Sequence, residues 1–220
     1  MNEQPDKKQY FLIGLIALTL GIFIFNMVRT SQLSSETETI TVPQQSQQQI
    51  SLKSGIDVTP KGVPEIYGKE LGLKYDDISL QNKQKTDATI NRLGTLDKQL
   101  SVQGKDLQRY IAIVSKISCE YCCGAPGIIT ADGQPACGCA HSYAMRGLAK
   151  YLLLEHGDEY TDDQILEELG KWKTLFFPQQ LAQKAQVLKD KGIELNYINL
   201  ASNKYRDIEQ GATGNMAGAC

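Results

Sequence analysis

From Tyr10 to Val28 the chain reads YFLIGLIALTLGIFIFNMV, uncharged and interrupted only by Thr19 and Asn26 as clearly polar residues. At about 1.5 Å of rise per residue, such a run spans the roughly 30 Å hydrocarbon core of a bilayer. A cleaved secretory signal would have a shorter apolar core and a small-x-small site; the RTSQLSSETET that follows offers no convincing one. The pattern predicts an uncleaved transmembrane helix over residues 10–28. Lys7 and Lys8 precede it and only Arg29 follows closely, which places residues 1–9 in the cytoplasm. The bulk of this single-pass cell-membrane protein is then extracytoplasmic.

Residues 29–55 are rich in Ser, Thr and Gln and poor in apolar anchors. They predict a flexible stalk, because too little apolar surface is available to offset the entropy of ordering it. Residues 56–210 form the expected extracytoplasmic domain, and 211–220 a mobile tail. Within the domain, TPKGVPEIYGKELGLKYDDIS alternates turn formers with single apolar residues and reads as an extended arm packed on the rest. Helical spacing then takes over. Ile90 and Leu93 share one face, and Leu107, Tyr110, Ile111, Val114 and Ile117 another; Ala144, Leu148, Tyr151 and Leu152 form a third stripe. TDDQIL is the clearest helix start: Thr161 and Gln164 form a reciprocal capping box, and Asp162 and Asp163 suit the positive end of the helix dipole. Ile165, Leu169, Trp172 and Phe176 run from there to Pro178, and Leu181, Ala185 and Leu188 make a last stripe. IELNYINL fits a strand or a continued helix. The expected fold class is mainly α: a small helical bundle with an inserted Cys-rich loop.

That loop, residues 118–142, is SCEYCCGAPGIITADGQPACGCAHS, with five of the six cysteines; the sixth is Cys220. Its middle reads as a β-hairpin turning at Ala131-Asp132-Gly133. A hairpin would bring Cys119, Cys122 and Cys123 beside Cys137, Cys139 and His141. Cys119, Cys122, Cys137 and Cys139 can then surround a tetrahedral Zn(II), and the C-x-C pair also suits Cu(I); Cys123 and His141 are further candidate ligands. The helix expected from Ala140 would favour thiolates at Cys137 and Cys139. Two alternatives stay open. One is a redox-active dithiol, with Cys119 attacking and Cys122 resolving, or Cys137 and Cys139 in those roles. The other is a set of structural disulfides, which an extracytoplasmic compartment favours. Arg146 reads as solvated and His156 as a partner of helix-terminal carbonyls. A metal- or thiol-exchanging protein would be the partner, together with the membrane. A net charge of −2 with no basic stripe and no phosphate-binding glycine loop argues against nucleic acid and nucleotides.

The stretch from Cys119 to Pro178 resembles the membrane-tethered thiol proteins of cytochrome c maturation, small three-helix bundles with an active C-x-x-C. CEYC matches the dithiol, and GDEYTDDQILEELGKW loosely matches the family's later G-x-[ST]-D-x-[EQ]-I-x-x-x-L run. The resemblance implies thiol–disulfide chemistry at Cys119 and Cys122. PACGCAHS and EHGDEY are also similar to parts of the lipoproteins known for a P-C-Y-C-G-C motif. The whole domain looks like anchored bacterial proteins that carry no assigned activity.

Overall fold

The structure is a computed structural model that describes residues 56–210. The anchor expected at 10–28, the stalk at 29–55 and the tail at 211–220 with Cys220 lie outside the described residues. Among those described, no helix is long and apolar enough to cross a membrane.

Six α-helices follow in order: α1 (Lys83–Gln99), α2 (Gly104–Val114), α3 (Ala140–Glu155), α4 (Asp162–Phe176), α5 (Pro178–Asp190) and α6 (Tyr197–Ala201). The apolar stripes read from the sequence face one core, in which Leu93, Tyr110, Val114, Leu148, Leu152, Leu169, Trp172 and Leu181 are essentially inaccessible. α4 starts at the expected capping box, with the Thr161 and Gln164 side chains each accepting from the other's backbone N–H. Pro178 opens α5 instead of merely ending α4, a position where its missing N–H is not needed. IELNYINL becomes the short α6, whose N-cap Asn196 accepts from the Asn199 amide at 2.8 Å.

α1 and α3 approach most closely at Gly147. A Cβ there would collide with the Leu93 carbonyl and come within 2.8 Å of the Asp97 amide, so only glycine permits backbone-to-backbone contact at that point. The contact holds α3, and with it the end of the cysteine loop, against α1.

The arm before α1 packs as the sequence suggests, largely as turns and a short 3-10 segment, Tyr75–Asp77. Its two tyrosines are buried and converge on one carboxylate: Tyr67 and Tyr75 both donate to Glu168 Oε2, at 2.6 and 2.5 Å, and Trp172 Nε1 donates to the Tyr67 hydroxyl at 2.7 Å. His156 differs from its expected role. Its ring nitrogens lie 2.7 Å from Glu159 and 2.9 Å from Glu70, so it links the arm to the end of α3 through carboxylates.

The expected β-hairpin is not formed, and no strand occurs among the described residues. The loop folds back at a single antiparallel bridge, Ile129 to Pro135, flanked by Thr130 N–H donating to Gln134 O at 2.8 Å and Ala136 N–H donating to Ile128 O at 3.1 Å. Gly133, with φ of 83°, makes the anticipated turn. Pro135 sits at the pair that exchanges no backbone hydrogen bond, where its missing N–H is not needed. A second bridge joins Ile117 to Ser202.

Candidate metal and thiol site

Two buried side chains, Arg146 and Glu120, anchor the site's scaffold. Arg146, read as solvated, is fully buried on α3. Its guanidinium pairs with Asp97 of α1 at 2.8 Å and donates to the carbonyls of Cys137 at 2.9 Å and Ile128 at 3.2 Å. Both sides of the folded-back loop are thus tied to one planar cation. Beneath the first cysteine, Glu120 Oε1 meets Lys173 of α4 at 2.8 Å and Lys184 of α5 at 3.1 Å, with all three side chains sealed from solvent. Burial pushes the Lys173 ammonium down to about 8 against the opposing pull of Glu120. Burial also works to raise the Glu120 carboxyl, but the two lysines win and hold it below the usual range.

From the other side, the segment after α6 clamps the loop. Asn203 Nδ2 donates to the carbonyls of Ser115 and Pro126, at 3.2 and 3.0 Å. Arg206 donates to the carbonyls of Ala125 and Gly124, each at 2.8 Å, and to Ser118 Oγ at 2.9 Å.

The loop so held sorts its sulfurs differently from the four-thiolate expectation. Cys137 is disulfide-bonded to Cys123 and so leaves the predicted set. Cys119, Cys122, Cys139 and His141 instead place one ligand atom each within 4.8 Å of one another, an arrangement that can hold a metal ion. Cys122 is itself disulfide-bonded. Cys119 and Cys139 are free thiols with sulfurs 3.4 Å apart, the first wholly buried and the second partly exposed.

Cys139 is the N-cap of α3, and its sulfur accepts from the Ser142 amide at 3.4 Å. Hydrogen bonding with Cys119 first, and with Ser142 further down, pulls Cys139 well below the ordinary thiol range against its partial burial, which favours the thiolate. The complementary effect on Cys119 is upward: its hydrogen bond to Cys139 and its burial both favour the thiol. The 3.4 Å approach lets the two sulfurs share one proton at a helix N-terminus. The His141 ring packs against Phe176 and Phe177, with centroids 4.9 Å away in each case. Its Nδ1 is buried without a hydrogen-bond partner among the described residues. Beside it opens a groove of about 710 Å³ lined by Leu80, Tyr121, Phe176 and Pro178 among others.

This arrangement predicts selective alkylation. Lowering the pH from 8 to 6 should slow iodoacetamide labelling of Cys139 less than twofold, whereas an ordinary thiol of pKa ~8.5 slows about 80-fold. Cys119 should stay unlabelled in the folded protein. Peptide mass mapping after timed labelling gives both rates; an 80-fold drop at Cys139 would mean that it is a thiol.

The sequence reading missed the two buried lysines. Their signal was present: Lys184 lies between Leu181 and Leu188 on the apolar stripe of α5, and Lys173 is seven residues beyond Leu166 on α4. No family model, curated protein or solved structure matches the chain.

Proposed function

We propose that this is a membrane-anchored extracytoplasmic domain that binds a thiophilic metal, Zn(II) or Cu(I), through Cys119, Cys139 and His141, with Cys122 as a fourth ligand. One observation carries the reading: four donors converge within 4.8 Å, and one of them is a histidine whose buried Nδ1 has no partner among the described residues. A buried polar atom without a partner is costly to a native protein, and a cation is the occupant that would satisfy it here together with a thiolate. Two sulfurs and an imidazole suffice for Cu(I). A tetrahedral Zn(II) takes all four donors, which requires the Cys122 disulfide to be reduced. The membrane anchor rests on the uncharged run at 10–28, and the compartment on the orientation read from Lys7 and Lys8.

Metal titration of the full-length protein tests this. Untreated protein should take up about one equivalent of Cu(I), and mildly reduced protein about one equivalent of Zn(II), with uptake lowered at least tenfold by His141→Ala. Less than a tenth of an equivalent of either metal, or full uptake by His141→Ala, would remove the reading.

A second reading is favoured by the contact of a partly exposed thiolate with a buried thiol. In thiol–disulfide exchange Cys139 would attack and Cys119 resolve, in place of the Cys119/Cys122 pair implied by the resemblance to the cytochrome c maturation proteins. It predicts that a Cys119→Ser variant traps a mixed disulfide through Cys139.

A further inference from the structure

The sulfurs form two groups that share Cys139. It lies within 4.8 Å of Cys119 on one side, and within the same distance of both sulfurs of the Cys123–Cys137 disulfide on the other. The two pairs differ in access. Cys119 has no exposed surface, so no external disulfide or thiol reaches it, whereas Cys123 is exposed to solvent. The structure therefore holds a reduced pair with a buried member beside an oxidised pair with a surface member, and Cys139 belongs to the first and lies within 4.8 Å of the second.

We propose that the domain is an internal disulfide relay, in which Cys139 carries the disulfide between the surface pair Cys123/Cys137 and the buried pair Cys119/Cys139. The Cys139 thiolate attacks Cys137 Sγ, forming a Cys137–Cys139 bond and breaking Cys123–Cys137, with Cys123 leaving as a thiolate into water. The Cys119 sulfur then attacks Cys139 Sγ, forming Cys119–Cys139 and expelling Cys137. Two electrons pass from the buried pair to the surface pair, and the Cys119 proton ends on one of the two released sulfurs. Charge and atoms balance with no added oxidant or reductant. The relay thereby offers the pair a route to outside thiols through the exposed Cys123, besides direct attack at the partly exposed Cys139.

The relay also sets the state of the proposed metal site. With the disulfide at Cys123–Cys137, Cys119 and Cys139 are available as ligands; with it at Cys119–Cys139, two donors are gone. The exchange itself needs no metal and does not depend on the metal reading.

Full-length protein is kept anaerobic with a chelator, quenched in acid at intervals, alkylated and mapped by mass spectrometry. The result expected is two isomers, Cys123–Cys137 and Cys119–Cys139, that interconvert without added redox reagent. Cys119→Ser should accumulate the Cys137–Cys139 bond with Cys123 alkylated, and Cys139→Ser should freeze the bond at Cys123–Cys137. Wild-type protein that shows only Cys123–Cys137 at every time point overturns the proposal, whatever the variants do. In a parallel sample freed of chelator, adding Cu(I) before the quench is expected to shift the wild-type population at least tenfold toward Cys123–Cys137. The double variant Cys123→Ser/Cys137→Ser separates the two ideas. Cu(I) uptake by this variant with a single isomer in wild type leaves the metal site standing and removes the relay; interconversion without Cu(I) uptake does the reverse.

Discussion

Glu120→Ala is expected to destabilise the domain by about 3–5 kcal/mol, the range for stripping one partner from a buried ion pair. The carboxylate sits between two ammonium groups, at 2.8 and 3.1 Å, and neither lysine has any exposed surface. Removing it leaves two buried cations facing each other, against a total stability that is only about 5–15 kcal/mol for a typical domain. Urea unfolding followed by circular dichroism measures the loss, and a loss below 1 kcal/mol would show that the lysines find other partners. Adding Lys173→Met and Lys184→Met to Glu120→Leu should recover most of it, because an apolar set of similar volume carries no desolvation penalty. The pH dependence has the same sign in two separate windows, stability rising with pH in each. Glu120 is held below its unfolded value, so its contribution is present above the unfolded carboxylate range and is lost as pH falls through the folded pKa. Lys173 is pushed down to about 8, so between pH 8 and its ordinary value of 10.5 the unfolded chain binds the extra proton and stability rises with pH. Lys173→Met should abolish that alkaline rise.

Arg146→Met is expected to cost about 3 kcal/mol and to open the site as well. Asp97 would keep only Lys150, at 2.7 Å, and the carbonyls of Cys137 and Ile128 would lose the donor that holds both. The chemical consequence separates this from a generic core defect. Cys119, protected from iodoacetamide in the native protein, should become labelled at least tenfold faster under native conditions, while Cys139 changes less than threefold. Arg146→Lys should not restore protection, because an ammonium cannot reach a carboxylate and two carbonyls in the planar fork a guanidinium offers. Equal protection of Cys119 in wild type and Arg146→Met would mean that the loop is held without this brace.

The helices were legible because their apolar positions recur at a 3.6-residue period and their starts carry local chemistry, as at Thr161 and Gln164. What escaped was set by distance. Arg146 read as solvated, and Lys173 and Lys184 were passed over, because nothing near them in sequence hints at a carboxylate; Asp97 lies 49 residues from Arg146, and Glu120 lies 53 and 64 residues from Lys173 and Lys184. The cysteine positions pointed to a site, yet their sorting depended on where α3 begins. With Cys139 as N-cap and His141 in the first turn, those two face Cys119, while Cys137 just upstream meets Cys123. A symmetric hairpin would have grouped Cys137 and Cys139 together. The single bridge that replaces it leaves Cys137 bonded to Cys123 and Cys139 facing Cys119, with the Cys137 and Cys139 sulfurs still within 4.8 Å of each other.

The clamp by Asn203 and Arg206 bears on the order in which the protein can mature. Synthesis delivers residues 118–142 well before the segment that caps the carbonyls of Gly124, Ala125 and Pro126. During that interval the loop's five thiols have their native neighbours only in part, and any oxidant present selects among pairings that the finished fold would forbid. Correct sulfur sorting therefore belongs to the final stage of assembly, and a chain truncated before Asn203 should accumulate as a mixture of disulfide isomers.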